Sequence, residues 1–249
     1  MSDLFWPLAL SVLGAIFGSF LATVAVRWPA GRSSLTGRST CDGCGQPVAA
    51  RDLIPIASAV LLKGRARCCT APIDSTHARV EIACAAAGLL AGAVASGFTG
   101  LIVAIFGWLL VLVAALDATE LWIPDPLVGT LAAAGLLASS MLPPALTDRL
   151  IGGAAGFASL WLIGFAYRRV RGREGLGGAD PKLFGAIGLW LGWRLLPAVL
   201  LIAAMIGLGV VAVRLLCGVS VERDDAVPFG AYLAMAAYPA LLLMIHLDL

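Results

Sequence analysis

Two carboxylates stand out in a chain with little charge. Its 249 residues are 60% hydrophobic and 13% charged. Asp117 closes the apolar run "WLLVLVAALD" (108–117), and Asp180 lies where the glycine-rich stretch "GREGLGGADPKLFGAIG" (172–188) turns into another apolar run. A charge at the edge of lipid is costly and is kept where something uses it. Two carboxylates brought together cannot easily both ionise; they share one proton, and one titrates well above its reference value. Such a pair can activate water and protonate a leaving amine, which is the chemistry of an aspartic protease. The plainer reading is that each acid caps a helix end or meets the headgroup region, Asp180 being favoured by the dipole of the helix it precedes. Glu120 and Asp125, in "ATELWIPDP" (118–126), read as structural or interfacial.

The elements that must position these acids are membrane helices. Mean hydropathy is +0.96, and a soluble domain of this size carries about 25% charged residues. Eight apolar blocks, roughly 4–26, 79–96, 100–118, 126–142, 149–168, 181–193, 196–217 and 228–247, approach the ~20 residues a span needs. The sixth is short. The fold class is an all-α polytopic membrane protein with a small cysteine-containing loop domain. The first block has no basic segment before it and reads as a retained helix rather than a signal peptide. Gly and Pro mark the joints, in "SGFTG" (96–100), "IPDP" (123–126) and "MLPPA" (141–145).

Basic residues set the topology. Arg27, Arg32, Arg38, Arg51, Lys63, Arg65, Arg67 and Arg79 lie in or beside segment 27–79, and Arg168, Arg169, Arg171 and Arg173 lie between spans five and six. With Lys182, Arg214 and Arg223 they make fifteen, against Arg149 and Arg194 on the other side. The positive-inside rule then places segment 27–79 in the cytoplasm. Spans three and six meet that same face, so Asp117 and Asp180, 63 residues apart, do so as well. The predicted organisation is a first helix (1–26), a cytoplasmic loop domain (27–79) and a transmembrane core (80–249). Lipid is the expected surround, with no nucleic-acid partner; oligomeric state is not legible.

Segment 27–79 carries "CDGC" (Cys41, Cys44) and "RARCC" (Cys68, Cys69). A reducing compartment disfavours disulfides, so clustered cysteines point to metal. Two CxxC pairs would be a strong signal for tetrahedral zinc, but here the second pair is adjacent. Zinc held by Cys41, Cys44, Cys69 and either Cys68 or His77 is one reading; a loop of free thiols is the other. Cys84 and Cys217 lie in spans and read as small apolar residues.

Five blocks in order, "GSFLATVAVRWP" (18–29), the cysteine loop, "ALDATELWIPD" (115–125), "GREGLGGADPKLFGAIGLWLGW" (172–193) and "VPFGAYLAMAA" (227–237), resemble the prepilin peptidases, the type IV leader peptidases of the GxGD intramembrane aspartic class. The resemblance implies an eight-helix inner-membrane protease acting at the cytoplasmic face. It places the catalytic aspartates at Asp117 and Asp180, with Gly177 and Gly178 giving close approach. Lys182 matches a family lysine that either tunes the pair or contacts a headgroup, and Asp125 matches the acid of a structural turn. The implied substrates are type IV prepilins or the pseudopilins of type II secretion. Many family members also methylate the new N-terminus with S-adenosylmethionine, and the N-terminal loop is implicated in that step.

The chain departs from the family pattern in several places. Gly-x-Gly-Asp reads Gly177-Gly178-Ala179-Asp180, and an alanine in the third slot is strained if that position needs a positive φ. Aligned on "APID" (71–74), Cys69 holds the second position of the second cysteine pair and Ala66 the first. Ala22 replaces an asparagine, and His77-Ala78 replaces a Tyr-Pro before Glu81. Peptidase activity is therefore the firmer expectation than methylation. The basic loops favour anionic headgroups and repel a basic leader, so leader recognition falls to local acids such as Glu174, Glu120 or Asp125. A proton-coupled transporter needs acids strung through the membrane depth, and they cluster at one face instead. A non-cutting assembly scaffold is the remaining alternative.

Overall fold

The structure, a computed structural model, describes residues 4–33, 39–173, 175–219 and 226–247. Arg38, Glu174 and Arg223 lie outside those residues. The described residues form helices α1 (Phe5–Arg27), α2 (Ala57–Leu61), α3 (Ser75–Val94), α4 (Gly97–Glu120), α5 (Asp125–Leu137), α6 (Leu146–Arg171), α7 (Asp180–Leu191), α8 (Leu196–Leu216) and α9 (Phe229–His246). Short 3₁₀ turns occupy Ala50–Leu53 and Ala138–Ser140. Each of the eight apolar blocks is a helix. Six helices, α1, α3, α4, α6, α8 and α9, are long and apolar enough to cross a membrane. The fourth and sixth blocks are α5 and α7, of 13 and 12 residues. At 1.5 Å per residue α7 is about 18 Å long, short of the ~30 Å hydrocarbon core.

The chain divides into two compact units, Met1–Ala115 and Leu116–Leu249. In the first, α1 packs along α3. Their backbones touch because the seam is made of small residues: a Cβ at Gly14 would overlap the Cys84 carbonyl, and one at Gly88 would overlap the Leu10 carbonyl. Small-residue seams are how membrane helices gain close packing when lipid removes the hydrophobic drive between them. Asp74 starts α3 by accepting the Thr76 N–H at 2.8 Å. That bond holds its carboxyl below the usual carboxylate range. A depressed pKa contributes stability above the unfolded value and loses it as pH falls through the folded one. Asp74→Ala is therefore expected to cost about 1 kcal/mol at neutral pH, with the difference from wild type closing in acid, as read by thermal melts across pH.

In the second unit α7 packs against α5, α6 and α9, and α8 packs against α9. Ten of the twelve α7 residues are buried, including Leu183, Phe184, Ile187, Trp190 and Leu191. A helix apolar on all sides belongs inside a bundle, and α7 is the central rod of this one. Its contact with α6 needs glycine, because a Cβ at Gly188 would overlap the Gly152 carbonyl.

Arg149, one of the two basic residues on the non-cytoplasmic side, is fully buried at 0% exposure. Its guanidinium donates to the carbonyls of Pro144 (2.9 Å), Gly135 (2.8 Å), Leu189 (2.9 Å), Leu142 (2.9 Å) and Pro143 (2.8 Å). It ties the C-terminal ends of α5 and α7 to the start of α6. Those ends carry partial negative charge from the helix dipole, which suits a cation.

Candidate functional site

The second unit brings Asp117 and Asp180 together. Asp117 sits in the last turn of α4, beyond the apolar stretch that ends at Leu116. Asp180 opens α7, with Pro181 behind it in the first turn, where a proline's missing N–H costs nothing. Both are buried, at 6% exposure each, and the charge on Asp117 acts on Asp180. Backbone amides hold both carboxylates, those of Gly230 and Ala231 at Asp117 and that of Gly177 at Asp180. Asp117 Oδ2 accepts the Ala231 N–H at 2.8 Å, from the first turn of α9. Asp180 Oδ2 accepts the Gly177 N–H at 3.0 Å, while the Asp180 N–H donates to the Gly177 carbonyl at 3.2 Å. The glycine loop is thereby closed onto its own aspartate.

The glycines serve space rather than a left-handed turn. Ala179 has φ −84° and ψ −26°, ordinary right-handed backbone, and carries no strain. Neither Gly177 nor Gly178 has a positive φ. A Cβ at Gly177 would lie 2.9 Å from Asp180 Oδ2, and one at Gly178 would meet nothing within 4 Å. The loop is exposed while the aspartate behind it is buried, so the carboxylate is reached past bare backbone. On the other carboxylate, a Cβ at Gly230 would lie 3.1 Å from Asp117 Oδ2 and overlap Ile123. Gly230 and Ala231 were not singled out as site residues in the sequence. The signal was present in "VPFG", a glycine just inside the last helix.

Lys182 does not join the pair. Its Nζ meets Asp125 Oδ1 at 2.7 Å and Oδ2 at 2.9 Å, linking the first turns of α7 and α5. Both side chains are largely exposed. Glu120 is exposed at the end of α4. Beside the glycine loop runs a groove of about 340 Å³, lined by Phe157, Trp161 and Phe165 of α6 and by Leu176, Gly177 and Lys182.

The first unit holds the cysteines. All four thiol sulfurs, from Cys41, Cys44, Cys68 and Cys69, lie within 4.8 Å of one another. Cys41 and Cys69 are 3.7 Å apart, and Cys44 and Cys68 3.3 Å. Tetrahedral zinc with Zn–S of about 2.3 Å sets sulfurs about 3.8 Å apart, so the set fits such an ion, and His77 is not part of it. Two matching turns build the cluster. Gly45 N–H donates to Cys41 O at 2.8 Å, and Thr70 N–H donates to Ala66 O at 2.8 Å. Each turn is flanked by a bridge, Thr40 to Pro47 and Arg65 to Pro72. Ala66 thus occupies the place of Cys41 and Cys69 that of Cys44, as the alignment anticipated, and Cys68 enters from the place of Gly43. The N–H groups of Cys44 and Gly43 pull the Cys41 thiol down to about 7. Shared hydrogens with Cys44 and Cys41 push Cys68 up to about 12.

Two domain families match the chain: a bacterial A24 peptidase N-terminal domain over residues 12–95 and the type IV leader peptidase family over 103–212. Similar proteins carry the name prepilin leader peptidase/N-methyltransferase. The Klebsiella pneumoniae protein is 38% identical over 209 residues, covering 80% of this chain and 91% of the relative. The Pseudomonas aeruginosa protein is 34% identical over 261 residues, covering 93% and 88%. The Aeromonas hydrophila protein is 36% identical over 211 residues, covering 82% and 71%. No solved structure matches the chain.

Proposed function

Since the chain belongs to the type IV leader peptidase family, we propose that it is an aspartic endopeptidase. It removes the basic leader from type IV prepilins or type II secretion pseudopilins at the cytoplasmic face of the bacterial inner membrane, and it then N-methylates the new terminus. The observation that carries the peptidase reading is the pair of buried carboxylates, each fixed by a backbone amide, behind an exposed glycine loop. Fixed in this way, the two carboxylates are placed to handle water and proton between them. The pair holds one water and one proton between them. The ionised aspartate takes a proton from water as the water attacks the scissile carbonyl. The protonated aspartate hydrogen-bonds the developing oxyanion, and a proton then passes to the leaving amine. The groove lined by Phe157, Trp161 and Leu176 takes the apolar segment that follows the cut. Asp125 is neutralised by Lys182, so of the two described acids offered for leader recognition, Glu120 is the one left to meet a basic leader.

In this reading residues 80–249 form the peptidase core and 27–79 the cysteine lobe. Cys41, Cys44, Cys68 and Cys69 would hold a structural zinc that fixes the two turns. Zinc supplies fold rather than chemistry here, since four thiolates leave no open position. The purified protein is expected to carry about one zinc per chain. Cys41→Ser is expected to lose the metal and lower the melting temperature, as measured by elemental analysis and thermal melts.

The methyl donor is S-adenosylmethionine. A cavity of about 450 Å³ in the first unit, with walls from α1, α3 and the cysteine lobe, is within the usual size for a ligand of that class. The experiment that tests the peptidase reading is incubation of the purified chain in liposomes with a prepilin and a pseudopilin, with mass spectrometry of the new N-terminus. Cleavage after the basic leader supports it. Binding of either substrate without cleavage favours the scaffold.

A further inference from the structure

The cavity of the first unit contains a carboxylate that the peptidase does not use. Glu81 of α3 is buried at 5% exposure and lines the cavity floor. Its Oε2 accepts the N–H of Ile56 at 2.7 Å. Among the described residues no cation pairs with it. The other acids of the cavity are otherwise engaged. Asp42 pairs with Arg32 at 2.9 Å, Asp52 pairs with Arg67 at 3.1 Å, and Asp74 caps α3. A buried carboxylate without a counter-charge is costly, and here it faces an open volume rather than a packed core.

The surroundings of Glu81 are polar on the membrane side as well. His77 lies one helical turn before Glu81 and shares its face. Ser19 and Thr23, also one turn apart, face the cavity from α1. The two helices meet closely at this level, since a Cβ at Gly18 would lie 2.9 Å from the Glu81 Cα. The cavity therefore reaches down to helix residues that a boundary at 79 would assign elsewhere.

We propose that this cavity is the methyl-transfer site and that Glu81 binds and deprotonates the α-ammonium of the cleaved substrate. The assignment rests on the methylation reading above. An α-ammonium supplies the cation that Glu81 lacks. The ammonium passes one proton to the Glu81 carboxylate. The nitrogen lone pair then attacks the sulfonium methyl carbon of S-adenosylmethionine. The new C–N bond forms as the C–S bond breaks, and that electron pair stays on sulfur. A secondary ammonium and a neutral thioether result, so charge and atoms balance.

The test uses the full chain in liposomes with a prepilin and S-adenosylmethionine. One sample reads cleavage and the added methyl by mass spectrometry, with zinc content and melting temperature measured alongside. Glu81→Gln keeps an oxygen for the Ile56 N–H and removes the negative charge. It is expected to cleave as wild type while methylation falls on the order of 100-fold. Thr23→Leu fills the cavity from α1 with Glu81 intact and is expected to lose methylation in the same selective way. Methylation at the wild-type rate in Glu81→Gln overturns the proposal. So does a parallel fall of cleavage, zinc content and melting temperature in both variants, which marks a structural role. A wild type that cleaves and never methylates sinks the methylation reading itself, an outcome separate from either.

Discussion

Asp117→Asn and Asp180→Asn are each expected to slow prepilin cleavage on the order of 10³-fold or more, in a protein that still folds and inserts. The loss is large because each aspartate has a distinct task that an amide cannot perform. An asparagine neither takes a proton from water nor gives one to the leaving amine. The fold survives because the amide keeps the shape of the carboxylate and an acceptor oxygen. At 117 that oxygen still meets the Ala231 N–H, and at 180 it still meets the Gly177 N–H. Alanine is a poorer probe at either site. It would leave the α9 or glycine-loop amide unpaired, and inactivity could then follow from local disorder. The checks are initial rates by gel or mass spectrometry, with melting temperatures showing that the variants fold.

The second large effect is on stability. Arg149→Leu is expected to destabilise the protein on the order of 3–5 kcal/mol. An arginine has five N–H donors, and here five carbonyls receive them, from Gly135, Leu142, Pro143, Pro144 and Leu189. Leucine fills the volume and leaves all five acceptors without that donor, two of them at the ends of α5 and α7. Arg149→Lys keeps the charge but brings only three donors from a single nitrogen, and it is expected to rescue little. Thermal melts in detergent, with yield in the membrane fraction, read the outcome. A Leu variant that melts like wild type would show that the carbonyls find other partners.

The sequence carried the helices well because membrane spans announce themselves by length and apolarity. All eight blocks are helices, and Asp180 opens one of them as its place in the sequence suggested. What it could not carry were contacts made across long separations. The partner of Asp117 is an amide 114 residues away, and Lys182 finds Asp125 57 residues away. Nothing local marks either pairing, so the sequence alone leaves Lys182 with two roles, tuning the aspartates or meeting a headgroup.

The role of Arg149 is hidden for a different reason. A basic residue at the start of a span enters the sequence only as a charge on one side, and only the bundle shows carbonyls converging on it. At Ala179 a family pattern suggested strain that the backbone does not have, because the glycines there provide access rather than a left-handed turn. The cysteines show the converse. Adjacent Cys68 and Cys69 look unsuited to one ion, yet two matching turns carry all four sulfurs within 4.8 Å.

The central claim is that Asp117 and Asp180 work as one site on one water. Single-turnover cleavage by wild type, D117N, D180N and the D117N/D180N double variant tests it most directly. Groups that act as a unit do not lose activity additively. The double variant is therefore expected to be no slower than the slower single variant. Losses that multiply in the double variant, or a single variant that cuts at the wild-type rate, would contradict the claim.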